Sequence, residues 1–215
     1  MSTTRHTGSG LTCPFDAVVV VGSQGAWDSF QTMLSVIGPN FPATLIFDLH
    51  RSGRLGAIEE VLGRRCDLPV ELAREGTAPQ PGQVYLAPHD QQLVISEEGR
   101  FGVLEPSDGV GHRFADTLLT SAAQAFGTRL IAIVLSGRLD GGACGVREVK
   151  RCGGRVFVQS PDSAIAASMP RAALATGCVD FALTPDRLGE ALVVFCTATG
   201  AAELFRVRMN AAVAS

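Results

Sequence analysis

Lysine is almost missing from this chain. Lys150 is the only one in 215 residues, so 17 arginines carry the rest of the positive charge, and the net charge is −3 with histidine neutral. Without a basic stripe there is nothing to track a phosphate backbone, which argues against a nucleic-acid partner. No window reaches the roughly 18 to 20 uninterrupted apolar residues of a membrane span, and the first twelve residues have no apolar signal-peptide core. The expectation is a cytoplasmic protein with no membrane insertion. C-x-x-C pairs are lacking as well. The six cysteines, at 13, 66, 144, 152, 178 and 196, read as small buried hydrophobes in a reducing compartment. His6, His89 and His112 have no ligand-like spacing with cysteines or acids, so no metal site is expected. There is no internal repeat.

Against these absences stand 46% hydrophobic and 18% charged residues. Such a composition suits an α/β domain whose central strands are buried on both faces. The length supports one good core. The organisation expected is a mobile N-terminal tail over residues 1–12, one domain over 13–199 and a loosely attached C-terminal end over 200–215.

The chain is organised around Val18-Val19-Val20-Val21-Gly22-Ser23-Gln24-Gly25-Ala26. A β-branched run breaks at a glycine, presents a serine and passes through a second glycine into helical spacing, which predicts strand, tight turn and helix. A serine at such a turn sits over the carboxyl edge of a parallel sheet beside free helix N-terminal N–H groups. Phe30, Met33, Leu34 and Ile37 recur on one helical face, and Gly38-Pro39 marks the stop. A second strand, Thr44 to Leu49, ends at His50. Joined by the helix it makes a right-handed βαβ unit with Ser23 and His50 on the same edge.

Further along, a short helix is expected around Ala57 to Leu62, an extended piece from Leu68 and a strand from Val84 to Pro88. Leu93 to Ile95 and Phe101 to Leu104 flank Glu97-Glu98-Gly99-Arg100 as a hairpin. Helices follow at Arg113 to Phe126, Ala143 to Arg151, after Pro170, and from Pro185-Asp186 through Cys196. They alternate with strands at Leu130 to Leu135, Val156 to Gln159 and Phe181 to Leu183. The fold class is therefore α/β: a doubly wound, mostly parallel sheet with helices on both faces and a β-hairpin insertion.

Three βα edges gather the polar residues that suit acyl transfer. A serine hydroxyl needs a base at neutral pH, a histidine can take that proton and return it to the leaving alcohol, and a carboxylate fixes the histidine tautomer. Ser23 is the candidate nucleophile, His50 the base and Asp140, in the Ser136 to Gly142 loop, the orienting acid. Backbone N–H groups of Gln24 and of the Gly137-Arg138 turn, Arg138 in particular, are the candidate oxyanion donors.

These residues resemble the catalytic domain of CheB-type protein-glutamate methylesterases. The family's G-A-S-T-G-G-T-E-A-L is similar to Gly22 to Phe30, and the 27-residue step from Ser23 to His50 fits it without a gap. Val84-Tyr85-Leu86-Ala87-Pro88 resembles V-Y-I-A-P, and Asp116 with Ser121 resembles V-D-x-L-F-x-S. Gln159 through Ser163-Ala164 to Met169-Pro170-Arg171-Ala172-Ala173 resembles Q-D-x-x-S-A-x-x-x-G-M-P-x-A-A. The resemblance implies hydrolysis of glutamyl methyl esters on methylated chemoreceptors in chemotaxis-type signalling, in some members glutamine deamidation, and no metal or organic cofactor.

The departures are specific. The family loop reads L-T-G-M-G-x-D-G-A or L-S-G-x-L-D-D-G, and its catalytic aspartate falls on Gly141, one residue after Asp140. Val21 stands at the family's first elbow glycine when Ser23 is the nucleophile; keeping the strand in register instead puts Gln24 there. Trp27 replaces a small residue beside the turn, and Gln92 stands where a histidine often occurs. The receiver domain that often precedes this domain has no counterpart, so the expectation is a stand-alone catalytic domain, constitutive or controlled by a separate regulatory partner. Two other readings stay open: a catalytically impaired fold that binds a receptor or signalling partner, and a nucleotide-binding sheet with Gly22-x-x-Gly25 at the phosphate and Asp48 at the ribose. The latter lacks a full G-x-G-x-x-G and any P-loop lysine.

Overall fold

The computed structural model describes residues 13–49, 62–64, 66–89, 91–105 and 114–198. His50, the helix expected around Ala57, both chain ends (residues 1–12 and 199–215) and His6 and His112 lie outside them.

The strands are β1 (Ala17–Gly22), β2 (Thr44–Leu49), β3 (Val70–Leu72), β4 (Val84–Leu86), β5 (Gln92–Ile95), β6 (Phe101–Leu104), β7 (Leu130–Val134), β8 (Arg155–Gln159) and β9 (Phe181–Leu183). The helices are α1 (Ala26–Leu34), α2 (Phe114–Phe126), α3 (Ala143–Arg151), α4 (Ser168–Ala175) and α5 (Pro185–Thr197). Seven strands form one sheet in the order β3-β4-β2-β1-β7-β8-β9. Every pairing in it is parallel. β5 and β6 form the separate antiparallel hairpin.

Central strands flanked on both faces must be apolar throughout, and β1, β7 and β8 are buried along their whole length. Alternate side chains feed two cores. Val18, Val20, Leu45, Phe47, Ile131 and Ile133 face α1 and α5. Val19, Val21, Ile46, Ala132, Val134 and Val156 face α2, α3, α4 and the hairpin. Phe30 of α1 stacks on Phe47 of β2 at 3.7 Å between centroids, which ties the first helix to the strand that follows it.

α1 ends at Leu34, earlier than the Gly38-Pro39 stop. Ile37 is nonetheless buried, because the loop carries it into the core that the helix face covers. α4 starts at Ser168, ahead of Pro170, which sits in its first turn where a missing N–H costs no helical bond. The cysteines are not uniformly buried: Cys66, Cys178 and Cys196 are, whereas Cys13 and Cys152 are half-buried and Cys144 is exposed, all as free thiols.

The chain leaves β1 towards β2 on one side and returns to β1's other flank as β7. Strand order therefore reverses at β1, and doubly wound sheets hold their ligands outside the carboxyl ends at that point. Val21 pairs with Asp48 and with Val134, and Gly22 with Leu49. Ser23 and the Leu135-Ser136 segment thus follow strand ends at the level where β2 ends at Leu49. No helix among the described residues is long and apolar enough to cross a membrane.

Candidate active site

The turn after β1 has no room for side chains at its glycines. A Cβ on Gly22 would stand 2.3 Å from Ala26 Cβ, so the strand reverses into α1 only with glycine there. Gly25 caps α1 at φ +79, in the left-handed region that glycine enters freely. The Ala26 N–H donates to Ser23 O at 3.1 Å, closing the turn and lifting half-buried Ser23 over the sheet edge at the helix N-terminus.

Ser136, fully buried after β7, holds this turn from the far side of the switch point. Its carbonyl accepts the Ser23 N–H at 3.0 Å. Its hydroxyl donates to Gln24 O at 2.7 Å and accepts the Ala166 N–H at 2.9 Å. A hydroxyl has one proton, so the longer 3.3 Å approach to Ala166 O is not a second donation. The Ser136 N–H donates to Oε1 of buried Gln159 at 2.8 Å, and Gln159 Nε2 donates to Ser163 O at 3.0 Å. One serine thus fixes the backbone on both sides of the Ser23–Gln24 peptide. It acts through its neighbours, as a positioning residue.

Gly137 is equally constrained. Its N–H donates to Ala166 O at 2.8 Å and its carbonyl accepts the Met169 N–H at 3.0 Å. A Cβ here would lie 2.0 Å from Met169 Sδ and 3.2 Å from Ser23 Cβ, so the loop packs directly against the serine. The Gly137 N–H is therefore committed. Of the donors expected from the sequence, the N–H groups of Gln24 and exposed Arg138 take no part in the turn and loop bonds among the described residues.

Beyond Arg138 the loop turns at Leu139, the one described non-glycine residue with positive φ, at 65°. A leucine in the left-handed region is strained, and this one is 53% exposed. Asp140 follows, exposed, its carbonyl accepting the Ala143 N–H at 3.2 Å. It lines an open cavity of about 710 Å³ together with Asp116, Thr117, Thr120 and Gln124 of α2 and Cys144 of α3. Asp116 is anchored there by accepting the Gly145 N–H at 2.8 Å. Ser23 is not part of that cavity, and among the described residues no hydrogen bond joins it to Asp140. Gly141 is buried.

The structure thus brings together Ser23, Gln24, Ser136 and Gly137, and directs Asp140 towards α2. Trp27 is half-buried and packs on the core that α1 and α5 share. Gln92 is buried at the start of β5, with no partner for Nε2 among the described residues. The clamp by Ser136, and Ile165, which lies against Gly25 and is 69% exposed, are contacts that sequence reading did not assign. The only hints were Ser136 in the loop motif and Gln159 in the downstream one. Among the described residues no group of three His, Cys, Asp or Glu side chains is arranged to hold a metal.

Comparison with known proteins agrees with this architecture. The family model for the CheB methylesterase matches residues 18–192. Protein-glutamate methylesterase FrzG of Myxococcus xanthus is 33% identical over 185 residues, covering 84% of this chain and 54% of that protein. A putative protein-glutamate methylesterase/protein-glutamine glutaminase of Leptospira interrogans is 27% identical over 186 residues, covering 83% of this chain and 94% of that one. The crystal structure of the Thermotoga maritima CheB methylesterase catalytic domain superposes with a TM-score of 0.76 at 27% identity, covering 83% of this chain and 97% of that domain. The chain spans about half the length of most of the curated relatives it matches.

Proposed function

The chain belongs to the CheB methylesterase family, and from that premise we propose that it is a cytoplasmic serine hydrolase cleaving glutamyl methyl esters on a methylated chemoreceptor or similar signalling protein. The observation that carries the proposal is Ser23 on a glycine turn at the switch point, its turn clamped by Ser136. Relatives that share the fold are named as methylesterases, several also as glutaminases.

In this reading His50, the residue after β2, takes the Ser23 proton as Oγ attacks the ester carbonyl. The N–H groups of Gln24 and Arg138 receive the oxyanion. Collapse of the tetrahedral species expels methanol, protonated by His50, and leaves a glutamyl ester on Ser23. A water activated by His50 then releases the glutamate carboxylate and restores the serine. A glutamine amide would follow the same course, with ammonia as the leaving group.

The third role is the weak one. The family's acid falls on Gly141, and Asp140 lines the cavity beside α2. Asp140 serves as the orienting acid only if rotation about Gly141-Gly142 swings it towards His50. Loss of that carboxylate in a Ser-His-Asp site costs up to ~10⁴ in kcat, so slow turnover is expected. The same observation favours a second reading, a methylesterase fold that binds its receptor without hydrolysing it.

The test is methanol release from a methylated receptor preparation by wild type, Ser23→Ala and Gly141→Asp. Turnover by wild type that Ser23→Ala abolishes supports the esterase, and a gain of about 100-fold or more in Gly141→Asp identifies the missing carboxylate as the limit. Silence of all three, with receptor binding retained by Ser23→Ala, favours the binding module.

A further inference from the structure

The amino edge of the sheet, opposite Ser23, carries an open cavity of about 690 Å³. Thr44 opens β2 there and Leu49 closes it at the other edge, so the two ends of the strand are about 17 Å apart. Phe15, Pro42, Pro79 and Phe126 give the cavity apolar walls. Asp16, Glu97 and Glu98 add carboxylates, the last two from the turn between β5 and β6. Arg129 is the cation among the lining residues described, and it is already held: its Nε donates to Asp16 Oδ2 at 2.6 Å. The balance left at the rim is acidic.

The floor of the cavity holds a polar atom with nothing to bond. Thr44 is 2% exposed, and its Oγ1 has no hydrogen-bond partner among the described residues. Its direction follows from the pleat. Thr44 is in register with Ala17 of β1 and stands two residues before Ile46, and both of those side chains belong to the core under α2 and the hairpin. Ala125 and Phe126 of α2 and Gly99 of the hairpin turn line the cavity with it. The hydroxyl therefore faces the cavity and not the core under α1 and α5. A buried hydroxyl without a partner is costly, and at the floor of a lined cavity it calls for a ligand that bonds it.

We propose that this cavity binds an aliphatic polyamine. The acidic rim selects a cation, and the spacing of the acids selects its kind. They do not converge on a point: among the described residues no three His, Cys, Asp or Glu side chains are arranged to hold a metal ion. Carboxylates set apart on apolar walls suit a chain whose ammonium groups are separated by methylenes. The methylenes pack on Phe15, Phe126 and the prolines while the charges reach separate acids. One ammonium N–H donates to Thr44 Oγ1 at the floor, a charge-assisted bond that supplies the missing partner. An anion would meet three carboxylates and a guanidinium that Asp16 occupies.

The test is calorimetric titration of the full chain with spermidine at neutral pH and about 0.15 M salt, where exposed charges more than about 8 Å apart are screened. The proposal expects one site per chain that an equal concentration of magnesium chloride does not displace. Thr44→Val keeps the side-chain shape and removes only the hydroxyl; it should bind about 10-fold more weakly. Its ligand-free thermal midpoint should equal or exceed that of wild type, since no internal bond is lost. Glu97→Gln with Glu98→Gln should weaken binding about 5-fold or more, the summed effect of two exposed charge contacts, whereas Glu71→Gln on exposed edge strand β3 leaves it unchanged. Ser23→Ala should bind as wild type does, so the result stands apart from the esterase reading. Several weak sites, displacement by magnesium, a Thr44→Val variant that binds as tightly as wild type or melts well below it, or binding of a short lysine peptide but not spermidine overturns the proposal.

Discussion

Replacing Ser136 with alanine removes one oxygen from a fully buried residue and leaves two backbone groups without their partner. The Ala166 N–H loses the acceptor it reaches at 2.9 Å, in a part-buried position; a buried donor left unsatisfied costs about 1–3 kcal/mol. Gln24 O loses its 2.7 Å donor, but Gln24 is exposed, so water replaces much of that bond and the loss is about 1 kcal/mol. The side chain shrinks by a single atom, which adds little for a cavity. The sum is about 2–4 kcal/mol, or a midpoint lower by roughly 5–15 °C for a domain of this size. Activity should fall further than stability requires. With the Gln24 peptide no longer pinned but its N–H still present, kcat on a methyl ester should drop about 10- to 100-fold, less than the ~10²–10³ that outright loss of an oxyanion donor costs, while KM stays nearly constant. Ser136→Thr retains the hydroxyl and restores both. Thermal melts with steady-state kinetics on wild type, Ser136→Ala and Ser136→Thr decide it. An alanine variant that melts within about 1 °C of wild type, or a threonine variant as impaired as alanine, refutes the clamp.

Three further outcomes follow from the same geometry. Gly137→Ala drives a methyl group to 2.0 Å from Met169 Sδ and 3.2 Å from Ser23 Cβ, so it should cost about 1–3 kcal/mol by overpacking, read as a lower urea midpoint, and also lower kcat. Lys150→Met leaves the fully buried Asp180 carboxylate with the Val156 N–H at 2.8 Å and Arg155 at 3.9 Å, and should destabilise by about 3 kcal/mol in denaturant titration, the low end for breaking a buried pair. Leu139→Gly relieves the backbone at φ 65 and, at an exposed position, should raise the thermal midpoint by the equivalent of about 1 kcal/mol; a lower midpoint would count against strain there.

The sheet was largely legible because its central strands are buried on both faces and so appear as unbroken apolar runs: Val18 to Val21, Leu130 to Leu135 and Val156 to Gln159 all became strands. Helix limits were less legible. Apolar periodicity reports which residues reach the core, and Ile37 reaches it from a loop. Ser23 could be read from local chemistry, since a β-branched run broken by glycine leaves few conformations. Its clamp could not, because the Ser136–Gln24 bond joins residues 112 apart in sequence. Asp140 shows a third limit. Its direction depends on the left-handed turn at Leu139, which a leucine gives no reason to expect. His50 is outside the described residues, so the expected pairing of nucleophile and base rests on strand register alone.

The central claim is that Ser23 is a nucleophile. It is tested most directly by treating the full chain with a fluorophosphonate ester, measuring intact mass and mapping the adduct by peptide sequencing. The account predicts one adduct per chain, on Ser23, absent from Ser23→Ala and formed faster in Gly141→Asp. An adduct on another residue, or a protein that releases methanol from a methylated receptor while Ser23 stays unlabelled, would contradict it.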